Sequence, residues 1–403
     1  MNASSKISNS LIEAPVRFSP DVERPVVDEA ATVTGLIGTM RYISDRTFAD
    51  GGHAIRPVHA KCHGILEGYL EVDSGLPSEL AQGLFAKPGR YPVVMRFSTI
   101  PGDILDDSVS VPRGLAIKVI GVEGERLDGS ERDVTQDFLL INGPAFRSPT
   151  PKKFLSGVKL LAGTTNRVQW LKKFLSSVMR PLQRTIVAIT GKPSATVATF
   201  GGHPETHLLG ETFYSEAALR FGDFIAKIAV APISAELAAL NQAPLNLSRA
   251  PNGLREAVVA FFKTNGGEWE VRAQLCTDLA LMPIENAAVV WPEEKSPYRS
   301  IARIKVKPQV AWSEARSSRV DDGMSFSPWH GLAAHRPLGG IMRSRKQVYE
   351  MAKKLRAEQN GRVIEEPREV VTFGDSRSAI SEAMFERTGA SLAASERSED
   401  GVS

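Results

Sequence analysis

Four short segments in the first part of the chain constrain its fold most. Gly64-Ile-Leu-Glu-Gly-Tyr-Leu-Glu-Val72, Tyr91-Pro-Val-Val-Met-Arg-Phe-Ser98, Arg113-Gly-Leu-Ala-Ile-Lys-Val-Ile-Gly121 and Phe138-Leu-Leu-Ile141 mix alternation with β-branched and aromatic residues, and Gly, Pro or Asp bound them. Each reads as a strand, and the hairpin-length gaps between them predict antiparallel pairing. The pattern returns at Asp223–Val230, Trp269–Leu275 and Ser300–Val306, with a helix over Arg255–Thr264 between the first two. Residues 152–190 interrupt it. Phe154, Leu155, Val158 and Leu161 keep helical spacing, as do Trp170, Leu171, Phe174, Leu175 and Val178, with Gly163-Thr-Thr-Asn as the break. The expectation is an α+β chain. Seven or eight antiparallel strands close as a β-barrel, and a basic, amphipathic helical insertion covers it as a lid.

Bulk properties exclude several function classes. The chain has 403 residues, 42% of them hydrophobic, enough to bury a sizeable core. A formal net charge of +3 argues against a nucleic-acid binder driven by bulk charge. Two cysteines, Cys62 and Cys276, make no disulfide framework and suit a reducing cytoplasm. The polar start predicts no secretory signal, and no run approaches the ~18 apolar residues that span a bilayer.

Chemistry enters with Arg345-Lys-Gln-Val-Tyr349-Glu-Met-Ala-Lys-Lys-Leu-Arg356, which contains no Gly, Pro or Asn. At roughly 100° per residue, Arg345, Tyr349 and Arg356 share one helix face. A solvated face is the plain alternative. The sharper reading makes Tyr349 an axial ligand to a haem iron. Arg345, one turn earlier, would hold it as phenolate, because a phenol ordinarily titrates near ~10 and an adjacent cation favours the charged form. Arg356, about 10 Å along the axis, could pair with a haem propionate.

Upstream lie Arg56-Pro-Val-His59-Ala-Lys and Val94-Met-Arg96-Phe-Ser98-Thr. With the Arg-x-x-x-Tyr run and its later Arg, these resemble, in order and at matching spacing, the distal and proximal motifs of the haem catalase superfamily, where Tyr is the known iron ligand. The resemblance implies a catalase-like barrel enclosing non-covalent haem b, with Tyr349 proximal and His59 the distal acid/base. Ser98 would orient the imidazole, and Arg56, Arg96 and Arg356 would take the propionates. Val58 precedes the distal His, as in peroxide-dismutating members; a Thr stands there in coral-type allene oxide synthases. Phe138 matches a distal phenylalanine, and Phe146 is a further candidate. The distal Asn of typical catalases falls at Asp133, with Thr135 or Gln136 as nearby substitutes. An ionised Asp can accept but not donate, so full catalase efficiency is not implied.

The implied organisation is an arm over 1–50, a haem domain over 51–356 and a partly disordered segment over 357–403, without the flavodoxin-like extension of longer catalases. The implied substrate is hydrogen peroxide or an organic hydroperoxide, with an organic electron donor where the reaction is peroxidatic, and the superfamily suggests a homo-oligomer. The alternatives are a fatty-acid hydroperoxide isomerase or lyase and a non-enzymatic haem-binding protein. Cys62-His63 lacks the second Cys of covalent haem attachment. His59, Cys62 and His63 lack a second ligand pair for zinc, and His203-Pro-Glu-Thr-His207 reads as a loop.

Overall fold

The computed structural model describes residues 14–162 and 204–373. The helical spacing at Trp170–Val178 and most of the segment over 357–403, from residue 374 on, lie outside the described residues.

The predicted strands form, with bounds that differ by one to three residues at one end or both. They are β1 (Cys62–Val72), β2 (Arg90–Thr99), β3 (Arg113–Ile120) and β4 (Thr135–Ile141), then β7 (Phe224–Pro232), β8 (Gly267–Leu275) and β9 (Arg299–Val306). Two short strands, β5 (Phe213–Tyr214) and β6 (Leu219–Phe221), were not legible, since a two-residue strand has no period to read. All pairings are antiparallel. Each barrel strand pairs with two others, in the cyclic order β1, β2, β3, β4, β5, β7, β8, β9 and back to β1. β5 makes the closure, with Tyr214 opposite Ile141 on one side and Ala229 on the other. The result is a closed eight-stranded barrel, with β6 hairpinned on β7 outside the ring.

Alternate residues of every barrel strand meet in one buried cluster, which includes Leu66, Phe97, Ile117, Phe138, Phe213, Ile228, Trp269 and Ile304. Only a lumen lets eight strands share one cluster, and eight strands leave room inside for side chains alone. Each fully buried large apolar side chain there contributes roughly 1.5–3 kcal/mol. The lumen is filled by these side chains, and the residues of interest alternate outward. On β2, Val93, Met95 and Phe97 point in, which leaves Arg96 and Ser98 on the outer face.

Helices pack outside. They are α1 (Glu29–Gly51), α2 (Pro151–Ala162), α3 (Gly253–Phe262) and α4 (Gly340–Gln359), the last carrying the Arg/Tyr/Arg face. Leu36, Met40 and Ile43 of α1, Val158 of α2 and Val348 of α4 form one core, with Val58 packed against it. The arm before α1 is held to the barrel by Val16 N donating to Cys276 O and Phe18 N to Asp223 O. The start of α4 is pinned by acids, as a helix N-terminus favours. Gly339 N donates to Glu23 at 2.9 Å and Gly340 N to Glu285 at 2.8 Å, while Arg343 binds Glu23, Glu29 and Glu285 together. Glu23, Glu29 and Glu285 thus fix the start of the helix that presents Tyr349. No described helix is long and apolar enough to cross a membrane.

Candidate active site

His59 sits in the loop before β1 with φ +54. This left-handed conformation costs a residue with a Cβ about 1–3 kcal/mol and persists only where the surroundings enforce it. Here His59 N donates to Ile100 O at 2.7 Å and Ala60 N to Pro101 O at 3.1 Å. The imidazole Nδ1 lies 3.0 Å from Ser98 Oγ. Gly114, opposite Ser98 in the sheet, provides the floor: a Cβ there would lie 2.4 Å from His59 Cε1. Burial first, then the charges of Arg96, Arg345 and Arg56, drive the imidazole down to about 3. It is therefore neutral near pH 7 and able to accept a proton.

On α4, Arg345 donates to Tyr349 Oη at 2.7 Å through Nη2, and its other terminal nitrogen reaches Met342 Sδ at 3.4 Å. A charge-assisted bond of this kind stabilises negative charge on the phenol oxygen. Tyr349 is half-buried. Val348 beside it and Val58 beside His59 belong to the same packed core, so the His59 loop and the Tyr349 face meet at one corner of the molecule.

Arg56, Arg96 and Arg356 converge on the segment 320–324. Arg56 Nη1 donates to the Asp321 carboxylate and to its carbonyl, both at 2.9 Å, and Nη2 to Val320 O and Met324 O at 3.1 Å. Arg96 Nε donates to the same carboxylate oxygen at 2.6 Å, and Arg356 donates to the carbonyls of Asp321 and Met324. Burial alone would raise the Asp321 carboxyl, but Arg96, Arg56 and a bond from Ser317 hold it below its ordinary value. Burial works against Arg96, but Asp321 holds it above its usual value; the other two cations are less well served. Arg56 falls well below its usual value, through burial and then the charges of Arg356 and Arg96, and burial takes Arg356 down to about 10. Asp322, which also bears on Arg356, is bonded to His53 instead. Three guanidiniums thus share one bonded carboxylate, a surplus of two positive charges among the bonded groups, with the Asp322 charge acting on Arg356 from further off. The donor set fits a cofactor carrying two carboxylates, an iron ligated by a phenol oxygen and an imidazole on hand for proton transfer.

Other sequence expectations fall elsewhere. Phe138 points into the lumen, against Phe85 and His335, because β4 alternates so that Leu139 and Ile141 face outward; its assignment to the cofactor is corrected on that ground. Ile141 is the residue opposite Gly114, and Thr135 lies at the far end of β4, roughly 20 Å along the strand. Gln136 serves structure there, accepting from Leu332 N at 2.8 Å. Thus Thr135 and Gln136, and Asp133 beyond them, lie away from His59. Phe146 stacks edge-on with Phe154 of α2. His63 is buried beside Thr99, and Cys62 is a buried free thiol. Asp321 and Gly114 were not singled out from the sequence. An isolated Gly inside a strand signals a close approach and could have marked Gly114, whereas nothing in Val320-Asp-Asp-Gly-Met324 links Asp321 to arginines far away in the chain.

No protein-family model and no curated protein matches the sequence. Solved structures do match the fold. A fungal catalase superposes with a TM-score of 0.54 at 18% identity, over 79% of this chain and 62% of its own. Catalase A from Saccharomyces cerevisiae gives 0.54 at 17% identity, over 85% and 67%. The chain spans less than two thirds of the fungal enzyme's length, and at these identities the likeness is one of fold.

Proposed function

We propose that this chain, whose fold is that of the catalases, is a haem protein that decomposes hydrogen peroxide. One observation carries the reading: three clustered arginines, Arg96 and Arg356 of them buried, with more positive charge than their bonded carboxylate offsets, lie at the same corner as an arginine-held phenol and a neutral, serine-bound imidazole. In this reading Tyr349 holds the iron, and Arg56, Arg96 and Arg356 pair with the propionates. When bound, haem supplies the redox chemistry that cleaves the O–O bond.

The protein's own part is proton handling. With Nδ1–H donated to Ser98 Oγ, the other ring nitrogen of His59 is the acceptor. It takes a proton from one peroxide oxygen and returns it to the leaving oxygen. Burial, and then Arg96, Arg345 and Arg56, keep the imidazole neutral between turnovers, so its free ring nitrogen is unprotonated when peroxide arrives. Val58, packed into the α1/α2/α4 core, fixes the backbone from which His59 projects. The test is titration of purified, haem-free protein with ferric haem. Saturation at one haem per chain supports the reading, and a chain that takes up none refutes it.

A further inference from the structure

The three arginines raise a question that haem binding alone does not answer: what holds them together before haem arrives. Arg96 is 2% exposed and Arg356 5%, so neither charge is relieved by water. The only carboxylate bonded to the cluster among the described residues is Asp321. It lies in a π-helical turn, Ser318–Asp322, a local widening often found at functional sites. Its Oδ1 accepts from both Arg56 and Arg96, and Ser317 Oγ donates to its Oδ2 at 2.7 Å.

The electrostatic energy of a buried cluster grows roughly as the square of its net charge. With Asp321 the haem-free cluster carries +3 and −1, a net of +2. A dianion then takes it to zero. Without Asp321 the same cluster starts at +3 and ends at +1. The relief on binding is proportional to 4 in the first case and to 8 in the second.

We propose that Asp321 is a positioning residue that acts as a resident counter-anion. It stabilises the arginine cluster in the haem-free chain and, by doing so, lowers the cluster's affinity for the dianionic edge of haem. The proposal rests on the haem reading above for the identity of the dianion. The built-in anion keeps the unloaded protein folded, at the expense of a tighter grip on the cofactor.

The experiment compares thermal midpoints with and without one equivalent of ferric haem for wild type, Asp321→Asn and Asp322→Asn. Asp321→Asn is isosteric and lowers the haem-free midpoint by about 5–10 °C. Its haem-loaded midpoint stays within about 3 °C of the loaded wild type. Haem therefore raises the midpoint more in this variant, and by linkage its haem dissociation constant falls about tenfold. Asp322→Asn removes a charge that acts on Arg356 without bonding to the arginines, and increases the haem-induced rise by less than Asp321→Asn does. If Asp321→Asn does not fold alone, Arg56→Met added to it restores the net charge to +2 and recovers the haem-free fold. A haem-induced rise in Asp321→Asn equal to or smaller than that of wild type overturns the proposal. So does a double variant less stable than Asp321→Asn. A wild type that takes up no haem overturns the functional reading itself, which separates the two failures.

Discussion

Tyr349→Phe removes the oxygen that is held 2.7 Å from Arg345 and leaves the ring, so the fold is kept and haem binding is not. Phe has no atom that can ligate iron. The expected result is a loss of haem affinity greater than the roughly 10–100-fold that follows removal of an outer-shell partner, with a changed absorption spectrum in any haem retained. Arg345→Met gives the calibration. It deletes only the charge-assisted bond to the phenol and falls within that 10–100-fold range. Both effects are read by haem titration followed in the visible region, and circular dichroism establishes that the barrel is intact. Equal affinity and an unchanged spectrum in Tyr349→Phe would remove Tyr349 from the site.

The largest effect on stability is expected at Lys118, which is fully buried on the outer face of β3. Its Nζ bonds Asp137 at 2.6 Å and also Glu366. Glu366 lies in the segment after α4, which returns to the barrel and packs Val371 and Phe373 against Ile65 and Val94. Ser325 Oγ donates to Glu366 at 2.6 Å, Ser327 N to Asp137 at 2.9 Å, and His330 Nδ1 lies 3.4 Å from Glu366. Asp137, His330 and Glu366 bring ligand atoms within 4.8 Å of one another, but Lys118 bonds both carboxylates and Lys353 lies 3.6 Å from Glu366, so the group reads as a staple rather than a metal site. Lys118→Met leaves two carboxylates buried without their cation, at a cost of about 3–5 kcal/mol and a midpoint lower by roughly 6–10 °C. Adding Asp137→Asn and Glu366→Gln removes the stranded charges and recovers most of the loss. The pH dependence has a definite sign. Burial would raise the Glu366 carboxyl, but Lys118 and His330 outweigh it and take the group down to about 2. Its contribution is full above ~4.5 and is lost as pH falls towards 2, so the Lys118→Met deficit shrinks in acid. A deficit at pH 3 as large as that at pH 7, or a triple variant no better than the single one, would contradict the staple.

The sequence carries more of this molecule at its periodic parts than at its long-range contacts. Strands of seven or more residues announce themselves because one face is lumen and the other is not, and the Arg345/Tyr349 bond follows from an i, i+4 spacing on one helix. The His59–Ser98 contact was reached through motif resemblance, since the two residues are brought together by the β1–β2 register. What was missed has a common cause. Asp321 meets Arg56 and Arg96 across more than two hundred residues, and no local pattern encodes that. Phe138 received its cofactor role from the resemblance, and because Phe138-Leu-Leu-Ile141 is apolar throughout, alternation gives no phase that would have shown it pointing inward. β4 is buried on both sides, against the lumen within and the 320–326 segment without, which is why its polar and apolar positions do not alternate.

The most direct test of the account is oxygen release from hydrogen peroxide by protein of known haem content, wild type beside His59→Ala. The account predicts peroxide loss by the wild type with about one O2 per two peroxides, and turnover at least ~100-fold slower in His59→Ala at equal haem loading. Haem-loaded wild type that leaves peroxide untouched, or a His59→Ala variant that matches it, would contradict the proposed function.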